Sequence, residues 1–290
     1  MPEETIEYIR GHWSGLRTVS FIEASVDGII PLLRSLPMVK EFRLLSSEDQ
    51  DLFPIPLNNY DWDQPVMQPD TLHLHVASSI VKPLLRAAIK HPTSIFSIQS
   101  VKKLTLGFHS SRWLEGLEHF YAAANRAFAL SLLVAVAPTL EHLAFRCPPN
   151  DIKNWDPVDL TSFKKLRSLS FDIHEGGHLP SKYLPGPYEV AAWWSKNLRM
   201  ANSKKWTIRE IEVNLVLPQH RVHHLRGLRT LDEILGHVDT KRLVFRIRCD
   251  RRLADRHIAV LKKALPEHLP VCSRLPHFVF EGCDRFWKYY

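Results

Sequence analysis

The chain has 290 residues, 45% of them hydrophobic and 24% charged, a balance that excludes a disordered or collagen-like polypeptide. Its 38 Lys and Arg against 31 Asp and Glu give a formal net charge of +7, unevenly spread: residues 1–145 carry 12 basic against 15 acidic side chains, and residues 146–290 carry 26 against 16. An acidic or polyanionic partner is therefore expected at the C-terminal half rather than along the whole chain.

The first residues, Met-Pro-Glu-Glu-Thr-Ile-Glu, are acidic and lack the apolar core of a secretory signal, so 1–15 reads as a cap or frayed end. Strands are predicted at Leu16-x-x-Val19-x-Phe21 and Val39-x-x-Phe42-x-Leu44, with a helical stripe of Ile29, Ile30, Leu33 and Leu36 between them. The closing positions of each pattern alternate, which puts their side chains on one face of a short strand. Residues 46–68 form a long Pro-containing loop in this reading. The pattern returns as Pro69-x-x-Leu72-x-Leu74-x-Val76, then a helix over Ile80, Val81, Leu84, Leu85 and Ala88, then Val101-x-x-Leu104-x-Leu106-x-Phe108. The longest helix is expected within Leu114–Ala137; its apolar run is far short of the roughly 20 residues a bilayer span needs.

Further strands are predicted at Leu140-x-x-Leu143-x-Phe145, Leu166-x-x-Leu169-x-Phe171-x-Ile173 and Ile208-x-x-Ile211-x-Val213-x-Leu215, with a helix over Glu189–Ala201 before the last. A helix over Leu225–Val238, a strand at Leu243-x-Phe245-x-Ile247, a helix over Leu253–Leu265 and a strand at Leu275-x-x-Phe278-x-Phe280 complete the series, with 266–290 as a C-terminal cap. Pro138, Pro148-Pro149 and Pro266 mark turns, and the units recur every 32 residues or so on average, about the size of one strand–helix repeat.

Strands separated by helices imply parallel pairing. A doubly wound sheet would bury both strand faces and read as continuous apolar runs. These strands alternate, so the predicted fold is an α/β solenoid forming a single repeat domain over 1–290, strands on the concave face and helices on the convex one. The phrases VKKLTLGF (101–108), TLEHLAF (139–145) and KKLRSLSFDI (164–173) resemble degenerate leucine-rich repeats, most similar to the repeat regions of fungal F-box proteins. Where regular repeats carry Asn or Cys after the strand, this chain has Ala24, Ser47, His109, Pro148 and His174, and no counterpart of the F-box helices precedes Leu16. The resemblance implies an intracellular, cytoplasmic or nuclear, non-catalytic protein that recognises a protein partner like a substrate receptor, without docking onto a ligase scaffold.

Several motifs compete with that reading. His174-Glu175-Gly176-Gly177-His178 fits H-E-x-x-H, whose zinc chemistry needs both histidines on one helix face. Here it follows a strand, holds two glycines and meets Pro180, so it reads as a loop, and a zinc hydrolase using His174, Glu175 and His178 is a remote alternative. His220, His223 and His224 stand among Arg221, Arg226 and Arg229, which oppose a cation. Cys147, Cys249, Cys272 and Cys283 form no CxxC pair and read as packed thiols. Glu210 and Glu212 share one strand face, an ordinary exposed pattern. No metal or cofactor is expected, and no enzyme.

The basic stretch is the stronger signal: Lys241-Arg242 opens a strand with Val244, Arg246 and Arg248 outward, followed by Arg251-Arg252 and Arg256. It suits an acidic or phosphorylated protein segment, with nucleic acid as the alternative. Trp193-Trp194 lie about 100° apart on their predicted helix, so either one is an exposed interface anchor or both pack between layers; packing is the expected account. The predicted concave surface comprises Lys40, Arg43, Lys103, Thr105 and His142 in the first half. In the second it comprises Arg167, Ser170, Arg209, Glu212, Arg246 and Arg248.

Overall fold

The computed structural model describes residues 3–13, 15–22, 36, 38–45, 67–75, 88–89, 97–107, 118–146, 152–174, 187–217, 228–249 and 255–283. Its contacts divide the chain into two units, Met1–Glu141 and His142–Tyr290.

In the first unit, helix α1 (Glu3–His12) precedes strands β1 (Thr18–Ile22), β2 (Glu41–Leu45), β3 (Thr71–His75) and β4 (Lys103–Gly107), and helix α2 (Glu118–Val136) follows. The strands pair in chain order, every pair parallel. The alternating residues read from the sequence form its core: Phe42, Leu44, Leu72, Leu74, Leu104 and Leu106 are all 2% exposed or less. Backbone bonds extend the ladder below the strands, with Asp70 N donating to Lys40 O at 2.9 Å and Lys102 N to Asp70 O at 2.8 Å. The stripe over Ile29–Leu33, most of the helix over Ile80–Ala88 and nearly all of the 46–68 loop lie outside the described residues.

The second unit runs β5 (His142–Arg146), β6 (Ser168–His174), helix α3 (Pro187–Ser203), β7 (Thr207–Leu217), helix α4 (Arg229–Leu235), β8 (Asp239–Cys249), helix α5 (Asp255–His268) and β9 (Phe278–Cys283). Again each strand pairs parallel with the next in sequence. Leu169, Phe171, Ile211, Val213, Leu243 and Phe245 are fully buried. Both tryptophans of α3 are buried too, at 2% exposure. Trp194 stacks on Phe171 of β6 at a centroid distance of 4.3 Å, while Trp193 meets Trp155 edge-on at 6.2 Å and donates from Nε1 to Trp155 O at 3.2 Å. Two neighbours about 100° apart are both inside because α3 is covered on two sides, by the sheet and by the segment carrying Trp155. Only Ala192, Lys196, Arg199 and Ser203 leave an exposed stripe along its middle and end. Asn197, fully buried, ties that segment down: its Oδ1 accepts from Val158 N at 2.5 Å and its Nδ2 donates to Trp193 O at 2.7 Å.

Two expectations change. Pro266, read as a turn residue, lies inside the last turn of α5. Its fixed φ is helical, and both it and Lys262, whose carbonyl loses its partner, are exposed to water. The outward face of the second-unit strands is also drier than alternation implies: Ser170, Asp172, Asn214, Val216 and Val244 are all buried. No helix among the described residues is long and apolar enough to cross a membrane.

Candidate recognition surface

Parallel register turns alternation along each strand into rows across it. In the first unit, Thr18, Glu41, Thr71 and Lys103 form one row, and Ser20, Arg43, His73 and Thr105 form the next. The rows are tied through Glu41, which accepts from Arg43 Nε at 2.8 Å and Thr18 Oγ1 at 3.3 Å and lies 3.2 Å from His73 Nε2. Burial pushes the Glu41 carboxyl up, but the Arg43 hydrogen bond and charge, with His73 and Thr18, outweigh it and hold the group below its ordinary value. Arg43, expected to read a partner, is therefore already engaged, whereas Lys103 is exposed.

In the second unit three rows cross the sheet. The lowest is His142, Ser168, Glu210 and Arg242; the middle is Ala144, Ser170, Glu212, Val244 and Val279; the upper is Asp172, Asn214, Arg246 and Glu281, joined by Arg146 at the end of β5 through its ion pair with Asp172. An ion-pair network spans them. Arg146 Nη1 meets Asp172 Oδ1 at 2.6 Å and Nη2 lies 3.8 Å from Glu212. Arg246 bridges Glu212 at 2.9 Å and Glu281 at 2.6 Å; Arg242 bridges Glu210 at 3.0 Å and Glu281 at 2.9 Å. A directional chain runs beneath: Asn214 Nδ2 donates to Ser170 Oγ, which donates to Glu212 Oε1, each at 3.1 Å. That chain fixes the amide orientation of Asn214.

These contacts revise the basic patch. Arg246 is not a free outward cation, because two carboxylates neutralise it, and three arginines on this face meet Asp172, Glu210, Glu212 and Glu281. Arg248 lies beside Val216 and Cys283 in register; Arg256 lies in α5, and Arg251 and Arg252 lie outside the described residues. Ser170 is buried inside the network rather than on an open face. Lys40, Arg167 and Arg209 are exposed, but each sits two residues before a core side chain (Phe42, Leu169, Ile211) and so belongs to the edge where strands begin, not to the rows above. His142, Thr105 and Glu212 are half-buried within the rows. Sequence reading missed Arg146, Asp172, Asn214 and Glu281. Aligning the copies on Phe145, Phe171, Val213, Phe245 and Phe280 puts all of them, with Arg246, in the next column.

The other motifs offer less. β6 runs through His174, so the first histidine of H-E-x-x-H closes a strand rather than opening a helix; Glu175, His178 and His220–His224 lie outside the described residues. Among the described residues no group of three His, Cys, Asp or Glu could hold a metal ion. Cys272 is buried, and burial, then the hydrogen bond and charge of Asp232, push its thiol far above its ordinary value, which makes it a packing group. Comparison of the chain with protein-family models, curated proteins and solved structures finds no match.

Proposed function

We propose that this chain is a non-catalytic scaffold for protein recognition, an irregular solenoid of leucine-rich type similar to the substrate-receptor part of fungal F-box proteins. The reading is carried by one observation: in each unit, strands paired in chain order, all parallel, bring polar residues from separate strands into rows on one face. Parallel stacking of this kind makes broad surfaces without a deep pocket. The partner it suits has mixed polar chemistry, since the described second-unit face pairs three arginines with four carboxylates. Within that face the buried network supplies stiffness, while Glu210 and Arg242 are the groups with enough exposure to meet another protein.

Affinity capture with wild-type chain is expected to recover a stable protein partner. A Glu210→Lys variant should lose it by about tenfold or more in affinity, because juxtaposed like charges cost more than one kcal/mol, roughly a factor of ten. A Lys262→Glu, Lys263→Glu control on exposed positions of α5 should retain it. Equal retention by both variants would remove the strand face from the proposal.

A further inference from the structure

The network leaves the positive charge of the second half to be located elsewhere. Much of it lies where β6, β7 and β8 begin. Arg209 stands between Arg167 and Lys241: Glu210 N donates to Arg167 O at 3.0 Å, and Thr240 Oγ1 to Arg209 O at 3.3 Å. Adjacent strands are spaced about 4.8 Å apart, so the ladder holds these side chains in a close row. Two Lys-Lys turns, Lys164-Lys165 and Lys204-Lys205, feed the same edge, the second with Lys205 at φ 54°. Lys204 pairs with Asp159 at 2.9 Å. Among the described residues, Lys164, Lys165, Lys205, Arg209 and Lys241 are exposed and make no ion pair; Asp159, Glu210 and Asp239 are the nearby acids in sequence, and Glu210 is engaged by Arg242.

We infer that this edge binds the phosphate backbone of single-stranded nucleic acid, a role beyond the protein recognition proposed above. Two observations favour phosphates over an acidic polypeptide. The unpaired cations are mostly lysines, which protein interfaces deplete because an ammonium is costly to desolvate and immobilise. A phosphodiester chain needs no such desolvation, since it gains by releasing counterions to cations that stay hydrated. In addition Trp206, half-buried, interrupts the cations between Lys205 and Arg209 and provides an aromatic surface on which a base can stack.

The test is fluorescence anisotropy with a labelled 20-nucleotide oligothymidine. Five phosphate contacts give a slope of about −3.5 for log affinity against log salt, so binding should weaken about 100-fold between 50 and 200 mM salt. Lys165→Gln, Lys205→Gln, Lys241→Gln should reduce that slope by about 2, while Lys196→Gln, Lys262→Gln, Lys263→Gln, removing equal charge from exposed helix positions, should leave it unchanged. If the first triple variant melts early, Lys241→Gln alone should still lower the slope by about 0.7. Absence of binding at 50 mM, equal loss in both triple variants, or tighter binding to polyglutamate or to a 20-base-pair duplex would overturn the inference.

Discussion

Asp172→Ala is expected to lower the unfolding free energy by about 3–5 kcal/mol, because it removes the carboxylate that meets the buried Arg146 guanidinium at 2.6 Å. Arg146 is 8% exposed and Asp172 3%, so water cannot replace the lost partner, and the carboxylate of Glu212 stands 3.8 Å away. The paired change Arg146→Met, Asp172→Leu removes both desolvated charges together and should recover most of the loss, since a buried pair is worth little against apolar groups of similar volume. Urea unfolding of the two singles and the double reads the coupling directly. A double variant as unstable as Asp172→Ala would show that the wider network, not this pair, sets the cost. Arg242→Ala should behave differently, costing under about 1 kcal/mol, because its ion pairs are near half-exposed and screened by solvent. The face is thus graded: a buried end that holds the rows in place, and an open end whose charges contribute little to stability and are available to a partner.

The strands and their pairing were legible because each copy repeats the same period-two spacing, and Phe42, Leu72, Leu169 or Ile211 need only local alternation to be assigned to the core. What could not be read locally was the charge state of the outward face. Arg246 is adjacent to basic residues in sequence, yet its partners Glu212 and Glu281 are 34 and 35 positions away and become neighbours only through parallel register. Alternation told which side of the strand Arg246 occupies and said nothing of what sits beside it. The tryptophans show the same limit. Helical geometry separates Trp193 from Trp194, but the second covering layer comes from Ile152–Asn154, Trp155 and Leu160, a stretch of short 3₁₀ turns with no periodicity to announce it. The edge cations were only partly legible: Arg209 was expected on the concave surface and Lys241 at the head of the basic stretch, whereas Lys164 and Lys165 lie in the turn before β6, where no periodicity assigns them a side.

Asp232→Ala should destabilise the second unit by about 3–5 kcal/mol, since it deprives two buried or half-buried backbone donors of their acceptor at about 1–3 kcal/mol each. Asp232 in α4 is fully buried, and its carboxylate accepts from Val271 N at 3.0 Å and Cys272 N at 2.8 Å, while its main-chain oxygen accepts from Cys272 Sγ at 3.3 Å. One side chain thus fastens the 3₁₀ turn Cys272–Arg274, which leads into β9, to α4. Asp232→Asn should cost less, because the amide oxygen keeps one of the two acceptor roles. The same contact constrains Gly236, where a Cβ would collide with the Val271 side chain. Gly236→Ala should therefore cost about 1–3 kcal/mol and combine non-additively with Asp232→Ala, both acting on Val271. Cys272 reports the release. In the wild type its thiol is buried and protonated, so peptide-resolved labelling with a maleimide should be slow. In Asp232→Ala the turn opens locally and labelling at Cys272 should accelerate about 100-fold, in line with a local opening free energy reduced by about 3 kcal/mol. Unchanged labelling with a lowered global stability would mean that the turn opens only with the whole unit, and that Asp232 stabilises the core rather than the approach to β9.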